Sequence, residues 1–115
     1  MTKSILILLL FMSCEKQDKS FEKYMIGSWS IKKDNIESVL EFTPDSLLQY
    51  DIENGDVKIL ARNKISFSED NKIIIEDFKS GKENKYFFIT KTGSNLIKIK
   101  IGDEELPIFK RVTND

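Results

Sequence analysis

The only thiol in this chain of 115 residues belongs to Cys14, and the sequence contains no histidine. Without histidine there can be no Ser-His-Asp or Cys-His nucleophile, no imidazole base near neutral pH, and no histidine-containing zinc or copper site. A single cysteine also excludes a disulfide within one chain. Carboxylates and lysines remain, but no spacing among the 19 acidic residues picks out a catalytic pair. We therefore expect no enzymatic activity, no metal site and no cofactor.

Cys14 follows a segment that has the three parts of an export signal. Lys3 supplies a basic start, residues 5–12 are uniformly apolar, and the small Ser13 precedes the thiol. As a helix the apolar run would span about 12 Å, against a hydrocarbon core of roughly 30 Å, so it cannot be a conventional transmembrane anchor. A buried N-terminal helix is the alternative, but such a helix should carry a polar face. We predict that residues 1–13 are a signal peptide.

The residues Phe11-Met12-Ser13-Cys14 resemble the lipobox of bacterial lipoproteins, with phenylalanine where leucine is commoner. The aromatic variant and the Arg-poor, Lys/Asn/Ile-rich composition are similar to lipoproteins of the Bacteroidota. The resemblance implies an acylated Cys14 that anchors the chain in the membrane of the cell envelope, expected at the outer membrane, facing the periplasm or the cell surface. The charged residues 15–19 fit a surface-export signal and a solvated linker equally well.

The chain after the predicted signal has a balanced charge. Lys3 is the one basic residue within residues 1–13, so 17 of the 18 basic residues remain beside 19 acidic ones. A nucleic-acid surface needs a basic excess, because binding displaces counterions from phosphates. We therefore expect no nucleic-acid partner and a solvated outer surface.

From Ile26 onward, apolar and polar residues alternate with the period of a strand that is buried on one face. The clearest case is Ile97, Ile99 and Ile101, which alternate with lysines. Turn signals interrupt the alternation about every ten residues, which favours an antiparallel meander. These signals lie at residues 43–46, 54–55, 69–71, 80–81, 93–95 and 102–104.

About eight short strands fit between Trp29 and Val112. A sheet of that size avoids bare edges by closing, and the interior of an eight-stranded barrel is either filled by side chains or holds one small ligand. We predict a small, all-β, antiparallel up-and-down barrel over residues 26–115, preceded by a lipidated cysteine and polar tether at residues 14–25. A helical turn is expected near residues 21–25, and the chain is expected to be a monomer. The rival OB-fold has too few strands for this many turns.

Gly27-Ser28-Trp29 opens the first predicted strand, and Arg111 lies in the last one. A Gly-x-Trp start with a late arginine resembles the lipocalin and lipocalin-like families. The resemblance implies that Trp29 closes one barrel end and that Arg111 packs over its ring, a cation–π contact of about 0.5–2 kcal/mol. An ordinary buried tryptophan and a surface arginine would give the same sequence. The predicted body is shorter than a typical secreted lipocalin, which implies a shallow cup.

The same resemblance implies a barrel that binds a small apolar or amphipathic molecule, and a cavity of about 300 Å³ or more, open at one end, would favour this function. The alternative is a structural or protein-interaction module of the cell envelope, with a filled barrel and contacts through its loops at Asn54, Ser80 and Asp103. A packed core would use the same inward residues as a ligand site. We predict these to be Leu40, Phe42, Tyr50, Ile59, Phe67, Ile75, Phe87, Ile99 and Phe109.

Overall fold

A computed structural model describes residues 19–76 and 85–113 of the chain. Within these residues the chain forms one helix and nine strands. Cys14, the rest of the predicted signal and the predicted turn at Ser80 lie outside the described residues. In chain order the elements are α1 (Ser20–Met25), β1 (Gly27–Lys33), β2 (Ile36–Phe42), β3 (Ser46–Glu53), β4 (Asp56–Phe67), β5 (Lys72–Glu76), β6 (Lys85–Gly93), β7 (Leu96–Ile101), β8 (Glu104–Glu105) and β9 (Phe109–Arg111).

The strands form a single sheet that closes on itself. From β1 to β7, strands that follow each other in the chain are antiparallel neighbours. β7 then pairs with β9, and β9 pairs with β1, which completes the ring. The prediction of a small all-β, up-and-down barrel of about eight strands is therefore confirmed.

The eighth strand of the ring consists of two short pieces, β8 and β9, which pair with the same edge of β7. In β8, Glu105 pairs with Lys100, and in β9, Phe109 pairs with Ile97. The register of β9 on β7 is therefore shifted by one residue relative to that of β8. Pro107 lies between the two pieces, and it has no N–H group to donate to the ladder. The proline thus explains why pairing stops and resumes with a shift.

The seam, by which we mean the junction of β9 with β1, is short. It contains the pairs Trp29–Arg111 and Ser30–Lys110, whereas β1 and β2 pair over the whole of both strands. The second half of β1 therefore lacks a partner strand on that side.

Turn chemistry accounts for the tight hairpins. Asn54 and Gly55 both have positive φ, of 53° and 82°, which is the requirement of the type I′ turn that this dipeptide predicts. A similar tight turn joins β1 to β2, where Asp34 has a φ of 58°. That turn was not among the predicted ones, although aspartate tolerates the left-handed region better than most residues.

The core lies inside the barrel and consists of apolar residues from the strands and from helix α1, which contributes Phe21 and Met25. Six of the predicted inward residues are buried, and Phe67 is partly buried against them. Full burial of one Leu, Ile or Phe side chain contributes roughly 1.5–3 kcal/mol. The core cluster contains Phe21, Met25, Trp29, Leu40, Phe42, Leu47, Ile65, Ile73, Ile75, Phe87, Ile89, Ile97, Ile99 and Phe109.

Tyr50 and Ile59 are the two predicted inward residues that face outward. Leu47 is fully buried in the core, so the alternation of β3 places Gln49 and Asp51 on the inner face with it. Tyr50 pairs with Ile59 on the outer face, where Ile59 is 53% exposed. The prediction was wrong for these two residues because β3 carries more apolar side chains outside than inside.

Helix α1 covers one end of the barrel. Phe21 and Met25 are buried, and the Phe21 ring meets the Phe67 ring edge-on with centroids 5.9 Å apart. The packed body therefore begins with this helix, ahead of the boundary at Ile26 that the sequence suggests. Within the described residues, no helix is long and apolar enough to cross a membrane.

Candidate functional site

The two ends of the barrel differ in structure. Helix α1 and the turns at residues 43–45, 68–71 and 93–95 lie at one end, which we call the closed end. The turns at residues 34–35, 54–55 and 102–103 lie at the other, the open end. Residues that resemble a family motif lie at the closed end, and the interior cavity lies toward the open end.

Trp29 fills the closed end. Its side chain is fully buried, and its Nε1 donates a hydrogen bond to the carbonyl oxygen of Met25 at 3.0 Å. Met25 is the last residue of α1, and the final carbonyls of a helix have no partner within it. The indole ring therefore fills the core, and its N–H group provides a hydrogen-bond donor to a carbonyl group at the end of α1.

Arg111 packs over Trp29, as the resemblance to lipocalins implies. Its guanidinium carbon lies 4.2 Å from the indole centroid. Nη2 donates to the Tyr24 carbonyl oxygen at 2.6 Å, and Nη1 donates to that of Ile26 at 3.4 Å. Nε donates to Oδ1 of Asn95 at 3.1 Å. One arginine thus connects the end of α1, the last strand and the β6–β7 turn.

Gly27 has a backbone conformation that only glycine adopts readily. Its φ is 123°, at the point where the chain leaves α1 and enters β1. A Cβ atom at this position would lie 3.7 Å from Nη1 of Arg111, which is an ordinary contact distance. The backbone angle, and not lack of space, is therefore what requires glycine before the tryptophan.

Tyr24 completes the closed end and was missed in the sequence because it lies in the predicted tether. Its hydroxyl donates to the carbonyl oxygen of Gly93 at 2.9 Å, and its ring lies 5.5 Å from that of Trp29. The ammonium group of Lys91 lies 4.2 Å from the centroid of the Tyr24 ring. The one signal that could have found it is the apolar spacing of Phe21, Tyr24 and Met25, which is that of a short amphipathic helix.

Replacement of Arg111 by alanine is expected to lower the free energy of unfolding by about 1–3 kcal/mol, because the carbonyl groups of Tyr24 and Ile26 lose their donor and the indole loses its cation. Arg111→Lys should recover part of this loss, since lysine keeps the charge but not the planar fork of donors. Urea unfolding measures both. The exposed Lys110→Ala is the matched control, and an equal loss in that variant would contradict a specific role for Arg111.

The open end contains an interior cavity of about 260 Å³. Its walls come from β2 and β3 on one side and from β6, β7 and the broken eighth strand on the other, so it lies across the barrel axis. Most of the lining is apolar. The lining residues are Ser38, Val39, Leu40, Gln49, Tyr50, Asp51, Leu60, Phe87, Ile101, Leu106 and Phe109.

Three polar side chains stand on the inner face of the cavity wall: Ser38, Gln49 and Asp51. Cross-strand pairing places Ser38 directly beside Asp51. Oδ1 of Asp51 is buried from solvent and has no hydrogen-bond partner among the described residues. Sequence reasoning found Leu40, Phe87 and Phe109 of this site. It missed Gln49 and Asp51 because the inner face of β3 was assigned incorrectly, and it missed Ser38 of β2 because polar residues were not considered for the interior.

Leu60 lies at the rim of the cavity because of a β-bulge. The pairing of β3 with β4 shifts by one residue between Gln49 and Tyr50, so Leu60 is the extra residue on β4. It remains 53% exposed while it lines the cavity. Bulges redirect side chains in this way and occur often at barrel rims.

A larger groove of about 420 Å³ lies elsewhere, along the seam. Lys32, Glu37 and Lys110 line it from the outer face of the barrel, so it is a charged surface depression. The interior cavity fits a small-molecule site better, because such sites are mostly apolar with a few placed polar groups. Within the described part of the chain, no cluster of three acidic residues is positioned to hold a metal ion.

No family model matches this chain, and no curated protein or solved structure is significantly similar to it. The lipocalin-like and lipoprotein assignments therefore rest on the short motifs around Cys14, Trp29 and Arg111. The geometry of the cavity is the structural feature that bears most directly on function.

Proposed function

We propose that this chain is a lipid-anchored, lipocalin-like protein that binds a small apolar or amphipathic molecule in the open-end cavity. The observation that carries the proposal is the cavity itself, which has apolar walls, a few inward polar groups, and a position inside a barrel whose other end is filled. Binding sites for small molecules have this composition and are common in barrel mouths.

The volume of the cavity limits the size of the ligand. Its volume of about 260 Å³ is slightly smaller than the lower end of the usual range for small-molecule sites, which is about 300 Å³. Phe42, Ile97 and Ile99 fill the barrel further in, so the cavity does not continue toward the closed end. A compact molecule fits this space, whereas a long acyl chain would have to extend into solvent.

The anchor belongs to the same proposal. Acylation of Cys14 would hold the barrel at the membrane of the cell envelope, since each buried methylene contributes about 0.8 kcal/mol and two chains suffice for stable attachment. Residues 15–19 connect this position to α1 at the closed end. The anchor gives the protein its location, and the cavity gives it its activity as a binding protein.

A second candidate function is a non-enzymatic protein-interaction module of the envelope. It is favoured by the outer face of the β3–β4 hairpin, next to the turn at Asn54, where Val57 is 60% exposed and Ile59 is 53% exposed. Tyr50 and Ile52 pair with these residues on the same face. Such an apolar surface is the kind that meets protein partners, and this function needs no ligand in the barrel.

Native mass spectrometry of the full chain, released from nanodiscs after production in a bacterial host, separates the two functions. For a binding protein, the spectrum should show a co-purifying small molecule on the wild-type chain. Ser38→Phe should reduce that adduct at least about tenfold, because the ring would occupy the cavity and overpack any bound ligand.

The matched control is Ser66→Phe, which adds the same ring at an exposed position of β4. Circular dichroism should show a folded barrel for both variants. If the wild-type chain carries no adduct, or if Ser38→Phe and Ser66→Phe carry it equally, the cavity is not the site, and the interaction module takes its place.

A further inference from the structure

The shielded Oδ1 atom of Asp51, a residue of intermediate exposure, indicates what kind of ligand the cavity takes. Asp51 stands on the inner face of β3, within the cavity lining. Its Oδ1 atom is shielded from solvent and has no hydrogen-bond partner in the described part of the chain. An unpartnered buried acceptor is costly, because it has lost its hydrogen bonds to water without replacing them. A bound group that donates to Oδ1 would remove this cost.

The neighbours of Asp51 do not supply that donor. Ser38 and Lys58 flank Asp51 in the register of the sheet, one on each adjacent strand. Lys58 is exposed at the hairpin, and no hydrogen bond or ion pair joins it to Asp51 in the described residues. The acceptor is therefore left facing the cavity.

The remaining lining defines the other half of the ligand. Of the described residues that line the cavity, Asp51 alone is charged, so no basic group is present to hold an anionic headgroup. Phe87 and Phe109 provide an apolar surface on the wall opposite the carboxylate, and Leu40 adds to it on the same wall as the carboxylate. An ionised carboxylate only accepts hydrogen bonds, and its strongest partners are cationic N–H donors.

We propose that the cavity binds a small cationic amphiphile, namely an apolar group that carries a protonated amine, with the amine donating to Oδ1 of Asp51. This inference rests on the proposed function, because it requires that the cavity binds a ligand at all. It adds the charge and polarity of that ligand. A fatty acid or other carboxylate of the same size is disfavoured, since its headgroup would meet an uncompensated negative charge.

Isothermal titration calorimetry of the full chain in nanodiscs, with empty nanodiscs as the blank, tests the inference with three probes of equal chain length: hexylamine, hexanol and hexanoate. We expect hexylamine to bind more tightly than hexanol by about tenfold or more, and hexanoate to bind most weakly. Asp51→Asn should weaken hexylamine binding by about tenfold to a hundredfold and change hexanol binding by less than about threefold.

The matched control is Asp56→Asn, which removes the same charge from an exposed position at the tip of the same hairpin. It should leave all three affinities unchanged. The midpoint of urea unfolding should not fall in Asp51→Asn, because the variant removes the charge from a carboxylate whose shielded Oδ1 atom has no hydrogen-bond partner among the described residues.

The outcomes separate the inference from the proposed function. Equal binding of hexylamine, hexanol and hexanoate, or an unchanged hexylamine affinity in Asp51→Asn, would overturn the assignment of a cationic ligand while the cavity remains a binding site. Binding of none of the three probes would overturn both. A marked fall in the unfolding midpoint of Asp51→Asn would show that Asp51 serves the fold.

Discussion

Replacement of Trp29 by alanine is expected to lower the free energy of unfolding by about 3–5 kcal/mol. The indole is fully buried, donates to the last carbonyl group of α1, and carries the guanidinium of Arg111 on its face. Its loss would leave a cavity between the helix and the barrel. Because small domains have net stabilities of about 5–15 kcal/mol, this single change should bring the chain close to unfolding.

Urea unfolding of Trp29→Ala has to be followed by far-UV circular dichroism, since the variant lacks the chain's only tryptophan and its fluorescence. The matched control is Phe88→Ala, which removes a large aromatic ring that is 46% exposed on the outer wall. That control should cost about 1 kcal/mol or less. Comparable losses in the two variants would show that Trp29 is an ordinary aromatic residue with no special part in closing the barrel.

Replacement of Cys14 by serine is expected to remove the chain almost completely from the membrane fraction, because the hydroxyl cannot take the place of the acylated thiol that the sequence predicts. Without acyl chains the remaining segment provides no stable attachment. The measurement is membrane fractionation of cells that produce the full chain, together with metabolic labelling by a radioactive fatty acid.

Ser13→Ala is the control for the Cys14 variant, since it keeps a small residue before the predicted cleavage point and should leave both labelling and fractionation unchanged. If Cys14→Ser remains labelled and membrane-bound, the lipoprotein assignment is wrong. The barrel and its cavity would be unaffected by that result, because both lie within the described residues.

The fold could be predicted because most strands bury one face and leave the other to solvent. Ile97, Ile99 and Ile101 show the period directly, and Asn54–Gly55 could form little else than a tight hairpin. Closure follows from strand number, since an open sheet of this size would leave two unpaired edges.

The inner face of β3 could not be predicted, because it is the less apolar of the two faces of the strand. Alternation identifies the two faces of a strand but assigns the core to the more apolar one, and in β3 that face is the outer one. Gln49 and Asp51 point into the barrel because Leu47 is fixed in the core and β3 pairs with β2 in a single register. Register is set by neighbouring strands, and a single strand does not contain that information.

Some residues of the candidate site could likewise be predicted from the sequence and others could not. The motif around Gly27, Trp29 and Arg111 could be read from the sequence, and the contact of the arginine with the indole is present. Tyr24 was missed because its segment was assigned as a tether, and Gln49 and Asp51 were missed because the wrong face of β3 was assigned to the core. Contacts between residues that lie far apart in the chain have no local signal.

The short seam also has a consequence for the order in which the chain folds. Every other strand pair in the ring joins consecutive parts of the chain, so it can form as a local hairpin. At the closed end beside the seam, by contrast, Arg111 reaches the Tyr24 carbonyl group across 87 positions. Because contacts of large sequence separation carry the greatest loop-closure entropy, we expect the hairpins to form first and the seam to close last. Trp29 and Arg111 lie at that junction, so the contact between them holds the two ends of the sheet together.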